Sequence, residues 1–586
     1  MKTLLALVCV TLLPLSLAAA DVASSAKVDA NDASLSLMRG IIERYHTDED
    51  ALGRSEVGEL STHQRERMQR FYLDTTRRLD TVNFDSLTQA DKIDFLLLRA
   101  KLKFETQELE HERKKNAEVA RFLPFADDIM GLEETRRRMV WADPPAAAQT
   151  LVKVSDAVKK IREELEKELK DSKESATNTQ NRVLARRAAR LEEELRRTLR
   201  NWNGFRAGYD PEFSWWLKQP FEKADKDLYE YGQFLKKKIV GVNDGEDEPV
   251  TGDPIGRDAL LDALASEMIP YTPEELIDIA NKEFAWCEAE WKKVARDLGF
   301  GDDWRKALDH VNKQYRKPGD QPELIRELVL EATKFVEDRN LVTVPELCKE
   351  VWRIEMMTPE RQKVTPYFTG GEVISVSFPT DTMSQEDKAM SLRGNNIHFS
   401  RATVLHEVIP GHHLQIFMSE RYNTQRRVFR TPFLVEGWAL YWEMLLWDLG
   451  FQKSPEDRVG ALFWRTHRCA RIIFSLNFHL GKMTAQEAID FLVDRVGHER
   501  RNATAEVRRS VAGDYGPLYQ AAYMLGGLQI RALSKELVAS GKMTAREFHD
   551  AILRENTIPI EMIRADLTKQ NLTRDFQSQW RFYDQK

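Results

Sequence analysis

Apolar residues recur at three- and four-residue spacing over most of this chain, which predicts a mainly α protein. The pattern is clearest from Val158 to Asn201, "VKKIREELEKELKDSKESATNTQNRVLARRAARLEEELRRTLRN", where one face is apolar and the other dense in Lys, Arg and Glu. Polar residues from Ser172 to Thr179 interrupt it, so the stretch reads as a long helical hairpin. Gly241 to Asp258, "GVNDGEDEPVTGDPIGRD", is rich in Gly, Asp and Pro and reads as a loop. Helical patterns resume at Arg257 and run to about Met357. The strand signal is confined to Thr365 to Pro379, "TPYFTGGEVISVSFP", in which a Gly370-Gly371 turn precedes β-branched alternation. Everything after Phe399 is again helical. The expected organisation is a helical region over 33–242, a linker over 243–256 and a second helical region over 257–586, the two regions forming one continuous domain.

The first residues break the pattern. Lys2 precedes an apolar run from Leu4 to Leu17, and Ala18-Ala19-Ala20 then supplies small residues before Asp21. Positive start, short apolar core and small-residue end are the marks of a secretory signal peptide over 1–20. The run is too short for a membrane anchor, which needs ~20 residues. A polar leader over 21–32 follows, read as disordered, and the mature protein is expected to be secreted or periplasmic. A net charge of -7, with basic residues interleaved among acidic ones, argues against a nucleic-acid partner. No later segment is apolar enough for a stable membrane anchor. Cys287, Cys348 and Cys469 are too few and too scattered for a disulfide framework or a thiolate metal site.

Candidate chemistry is concentrated in "SRATVLHEVIPGHHLQIF". Zinc hydrolases commonly place H-E-x-x-H on a helix, with two histidines one turn apart gripping the metal and the Glu as base. Here Pro410 stands four residues after His406, and the next histidines are His412 and His413. On an unbroken helix His412 would point about 120° away from His406, and His413 would sit about 10 Å along the axis. Proline cannot donate a backbone hydrogen bond, and glycine tolerates unusual dihedrals. Pro410-Gly411 is therefore expected to insert two extra residues as a bulge, carrying His412 into the ligand position in preference to His413.

A third ligand should come from another helix. "TPFLVEGWALYWEMLLWDLG" has Thr431 as N-cap, Pro432 in the first turn and Gly450 as a stop. Glu436 is ionisable on a face built for burial and needs a partner, which a metal ion supplies. Glu443 lies on the same face and is placed to orient a ligand histidine. A metal held by three protein groups leaves room for a water molecule, with Glu407 as the general base.

"HEVIPGHH" followed by "VEGWALYWE" resembles a large bacterial family of unknown function (domain of unknown function 885), whose signature is H-E-x-x-P-G-H-H plus E-G-W-A. That family is similar to helical gluzincin peptidases such as thimet oligopeptidase and angiotensin-converting enzyme. The resemblance is sharp from about Asn396 to Gly526. It implies a large two-lobed, zincin-like helical fold with a groove, and a small β element near a zinc ion. The ion would be held by His406, His412 and Glu436, with Glu407 as base. Looser matches imply roles for Arg471, His479, Arg509 and Tyr523. Ser475 and Ser510 stand where the family usually has Asp and Tyr. Tyr523 is the first candidate to stabilise a developing oxyanion, with His479 and Arg509 behind it.

The expected activity is zinc-dependent hydrolysis of peptide bonds. Two alternatives remain open at this stage: a zinc amidase acting on a small non-peptide or cell-wall amide, and a non-catalytic helical binding protein with a structural metal. A structural zinc usually has four protein ligands and no adjacent base, so Glu407 beside His406 favours the catalytic reading.

Overall fold

The computed structural model describes residues 36–55, 57–171, 179–242, 249–364, 368–512 and 515–583. The expected signal peptide (1–20) and leader (21–32) lie outside the described residues. The protein is mainly α, with 72% of the chain in helices. Local signals explain many helix starts. Thr272, Thr484 and Thr544 each accept from a backbone N–H three residues on, and the Glu at that position bonds back to the cap's own N–H.

Buried apolar residues form two cores. One lies within 119–242, and the other unites residues 38–102 with residues 260–582. The 31-residue helix Gln89–Val119 links them, since Ile93 to Leu102 belong to the large core and Val119 to the smaller. A buried ion cluster fastens the early helices to the late ones: Arg426 Nε donates to Asp94 at 2.6 Å, and Arg426 also pairs with Glu555.

The expected hairpin is realised as helices Pro144–Asp171 and Thr179–Gly204, and residues 172–178 between them lie outside the described residues. The first packs chiefly on the helix Pro211–Phe234, and the second on that helix, on its continuation Leu235–Val240 and on the helix Ala126–Arg137. Within the expected linker, residues 243–248 are not described. Its later part runs without regular structure and is anchored: Asp253 N–H donates to Val511, Gly256 N–H to His479, and Arg187 to the Asp253 carboxylate at 2.7 Å.

Two short strands pair in parallel, Arg353–Met356 with Val373–Val376, in the register Arg353 opposite Val373 and Met356 opposite Val376. The second falls inside the expected strand region, of which residues 365–367 are not described. The first corrects the sequence reading, which carried helix to Met357. Arg353, Glu355 and Met356 are exposed, so this edge has no apolar alternation to announce it. Thr369 bridges Ser375 in antiparallel fashion around the Gly370-Gly371 turn. Four helices of the large core line one cavity together with Gly370: Ile397–Glu407, Pro432–Asp448, Pro455–His479 and Tyr519–Ser534. The second and fourth approach most closely. A methyl group on Gly526 would lie 1.9 Å from the Phe433 carbonyl oxygen, so only glycine lets these backbones meet.

Candidate metal centre

The helix Ile397–Glu407 starts at Asn396, whose side chain accepts from the N–H groups of His398 and Phe399. It stops at Glu407, and a new helix, His412–Ser419, begins after the turn Val408–Gly411. Leu414 N–H donates to the Val408 carbonyl at 3.3 Å, six residues back instead of four. Two extra residues are therefore accommodated, as expected, but by a break between two helices and not by a bulge within one. Gly411 is sterically required there, because a Cβ would lie 1.9 Å from the His406 carbonyl oxygen. The break brings the rings of His406 and His412 to 4.7 Å, at an interplanar angle of 87°. His413 turns away: its Nε2 bonds the Cys348 carbonyl at 2.8 Å, and burial lowers its pKa.

Glu436 meets both histidines. Its Oε2 lies 3.2 Å from His406 Nε2 and 3.2 Å from His412 Nε2. On the far side of His406, Nδ1 lies 2.8 Å from Glu443 Oε1. With Nδ1 engaged by Glu443, Nε2, which faces Glu436 and His412, is the atom placed to meet a metal. Tyr519 donates its hydroxyl to Glu436 Oε1. Burial by itself would raise the Glu436 pKa, but His412 and His406 beside it hold the carboxyl well below its usual range. Burial likewise opposes the charged form of His406, and the hydrogen bonds to Glu436 and Glu443 overcome it, lifting this histidine to about 9.

These residues fit a metal ion. Ligand atoms of His406, His412 and Glu436 lie within 4.8 Å of one another. A tetrahedral ion with bonds of ~2.0–2.1 Å holds its ligand atoms roughly 3.3 Å apart. Both 3.2 Å separations match that value. Two imidazoles and one carboxylate also form a donor set that suits zinc.

The triad opens on a cavity of about 340 Å³. Glu407 lines it and is pinned by the strand turn: its Oε2 accepts from Gly370 N–H at 2.7 Å, and its carbonyl accepts from Gly371 N–H at 3.1 Å. Tyr523 also lines the cavity, its ring stacked 5.8 Å from that of His406. Burial raises the Tyr523 pKa, and so does the Glu436 charge, so its hydroxyl keeps a proton. Arg509 lines the same cavity and pairs with Glu506.

His479 is a correction. It lies outside the cavity lining, eight residues beyond Arg471 on one helix, a rise of about 12 Å. It is buried, neither ring nitrogen has a hydrogen-bond partner, and burial pushes its pKa down to about 4. It behaves as a core residue.

Three features went unassigned in the sequence. Tyr519 contacts a ligand carboxylate directly, yet only its four-residue spacing from Tyr523 hinted at a shared face. Arg468 stands one turn before Arg471. Glu506 gathers Arg471, Arg509 and Gln520, and it stands in the "AEVRRS" segment that pointed to Arg509 alone.

Comparison with known proteins agrees with the fold. Residues 44–567 match the model of the family described as bacterial protein of unknown function (DUF885). A candidate lipoprotein of unknown function from Shewanella oneidensis has a similar structure, with a TM-score of 0.67 and 18% identity over 91% of this chain and 100% of that one. A second, a candidate lipoprotein from Colwellia psychrerythraea, superposes with a TM-score of 0.56 and 15% identity, over 91% and 98% of the two chains. No curated protein matches the sequence.

Proposed function

We propose that this chain, which belongs to the family of bacterial proteins of unknown function DUF885, is a zinc-dependent peptidase of the gluzincin type. The observation that carries the reading is the convergence of His406, His412 and Glu436 at metal-ligand spacing in one cavity with the Glu407 carboxylate. Zinc, when bound, supplies Lewis acidity toward a carbonyl oxygen and lowers the pKa of a water molecule to about 7.

The chain's own groups perform the remaining steps. Gly370 N–H fixes one oxygen of Glu407, and the other takes a proton from the attacking water and returns it to the leaving amine. Tyr523 retains its hydroxyl proton and donates toward the developing oxyanion. Glu443 holds His406 in the tautomer that presents Nε2. Among the described residues this cluster has three side chains placed to ligate a metal, which supports catalysis over a closed structural site.

The protein acts outside the cytoplasm. Support comes from the leader-like residues 1–20 and from the similarity to structures described as candidate lipoproteins.

The test is Glu407→Gln, which keeps size and polarity but cannot accept the proton. Peptide-library cleavage should fall by roughly 10²–10⁴-fold while zinc content is unchanged. Equal turnover by both proteins at matched zinc would falsify the role of Glu407. Absence of turnover in the wild type on peptides and on cell-wall amides alike would favour a binding protein.

A further inference from the structure

One wall of the cavity carries more positive charge than its neighbours neutralise. Arg468, Arg471 and Arg509 all line it. Glu506 accepts from Arg471 Nε at 2.6 Å and from Arg509, so one carboxylate serves two guanidinium groups. Arg468 has its ion pair with Glu443 at 3.8 Å, beyond hydrogen-bond length. The two histidines on this wall leave that balance unchanged. Burial holds His467 well below its usual value and His498 at about 4, so both are uncharged near neutral pH.

The guanidinium groups are also short of partners. Arg468 Nε, Arg471 Nη1 and Arg509 Nε are each buried without a hydrogen bond. Arg468 and Arg471 are less than a tenth exposed. Buried donors left without an acceptor are costly, and three on one cavity wall call for a ligand that brings acceptors. A planar carboxylate matches the guanidinium fork in geometry and charge.

Position narrows the ligand further. The Arg468 and Arg471 guanidinium groups sit 4.7 and 4.6 Å from the Tyr523 ring, and that ring is stacked 5.8 Å from His406. From His406 of the metal triad to Arg468 and Arg471 is therefore no more than about three extended residues, at ~3.3–3.6 Å each.

We propose that Arg468, Arg471 and Arg509 form a carboxylate subsite that anchors one end of a bound peptide. The inference rests on the peptidase reading for the identity of the ligand. A carboxylate so near the triad is either the peptide's own C-terminus or an acidic side chain beside the cleaved bond. If it is the C-terminus, the carboxylate belongs to the leaving fragment, and the protein removes short pieces, at most about three residues, from peptide C-termini.

The test uses the full mature chain carrying Glu407→Gln, so that binding is read without turnover. Calorimetry compares three N-acetylated tripeptides: Ala-Ala-Ala free acid, its C-terminal amide, and Ala-Ala-Glu amide. The free acid should bind at least about 10-fold more tightly than the plain amide, as expected for a charge-assisted contact. Tight binding of Ala-Ala-Glu amide alone assigns the subsite to an acidic side chain. Arg468→Gln should abolish the preference. It is the variant chosen because Arg471 is held in a buried ion pair whose loss would perturb folding. Equal affinity for all three peptides overturns the proposal, even if wild type cleaves the amides efficiently. Preferential binding of a carboxylate by a wild type that hydrolyses nothing would instead overturn the peptidase reading and leave the subsite standing.

Discussion

Replacing Glu443 tests the metal centre one step away from its ligands. Glu443 contributes no ligand atom to the triad, but it accepts a hydrogen bond from His406 Nδ1 at 2.8 Å and faces Arg468 at 3.8 Å. A hydrogen bond to an ionised partner is worth about 1.5–3 kcal/mol, or roughly 10–150-fold in an equilibrium constant. Glu443→Gln keeps an acceptor and loses the charge, so zinc affinity should fall about 10-fold; Glu443→Ala leaves the Nδ1–H group buried without a partner and should cost about 100-fold. Competition against a chromophoric chelator measures both.

The pH of the assay matters, with a sign the structure fixes. Glu436 and Glu443 together hold His406 at about 9 against the pull of burial. Zinc must displace that proton at pH 7, whereas above about pH 9 it need not. Removing Glu443 weakens the hold on the proton as well as on the metal, so the gap between wild type and variant should be widest near pH 9 and narrower at pH 7. Zinc affinity of folded Glu443→Ala within twofold of wild type at pH 9 would refute the orienting role.

Other outcomes follow from the same structure. His412→Ala should lose zinc, whereas His413→Ala should keep it at normal stoichiometry by metal analysis, since His413 bonds the Cys348 carbonyl and not the triad. The reverse result would show that the helix break presents the wrong residue. Gly526→Ala places a methyl group 1.9 Å from the Phe433 oxygen and forces apart the helices that carry Glu436 and Tyr519; it should destabilise by about 1–3 kcal/mol in urea unfolding and weaken zinc binding with it. An unchanged urea midpoint would mean that the close approach does not exist. His479, His498 and His549 are buried, with folded-state pKa values pushed down to about 4, chiefly by burial. The unfolded chain, with values near 6.5, binds more protons between those limits, so stability is full above about pH 6.5 and lost as pH falls toward 4. Each group contributes up to about 3 kcal/mol, and equal urea midpoints at pH 7 and pH 5 would contradict their burial as neutral rings.

What the sequence determined by itself was whatever depends on short range. Helical periodicity, N-caps and stop residues fix most of the helices, because each is a pattern within one or two turns. The metal candidates were legible for the same reason. His406, Pro410-Gly411 and His412 occupy one short segment, where backbone chemistry alone says that the helix must admit two extra residues. Glu436 stands out as a charge in an apolar helix, and Glu443 follows two turns later on the same face. Tertiary structure decided what lies against these residues. The strand Arg353–Met356 exists because Val373–Val376 offers it hydrogen bonds, and no alternation in its own exposed residues foretells it. Gly370 reaches the Glu407 carboxylate only once the turn folds over the motif helix. Tyr519 meets Glu436 across a helix crossing that two glycines permit, and residues 38–102 join the core of residues 260–582 across the intervening helices. His479 and Arg468 show the limit most plainly. Both lie on the helix Pro455–His479, yet only Arg468 lines the cavity, because a helix of 25 residues extends far beyond one site and its periodicity does not say where along its length the cavity lies.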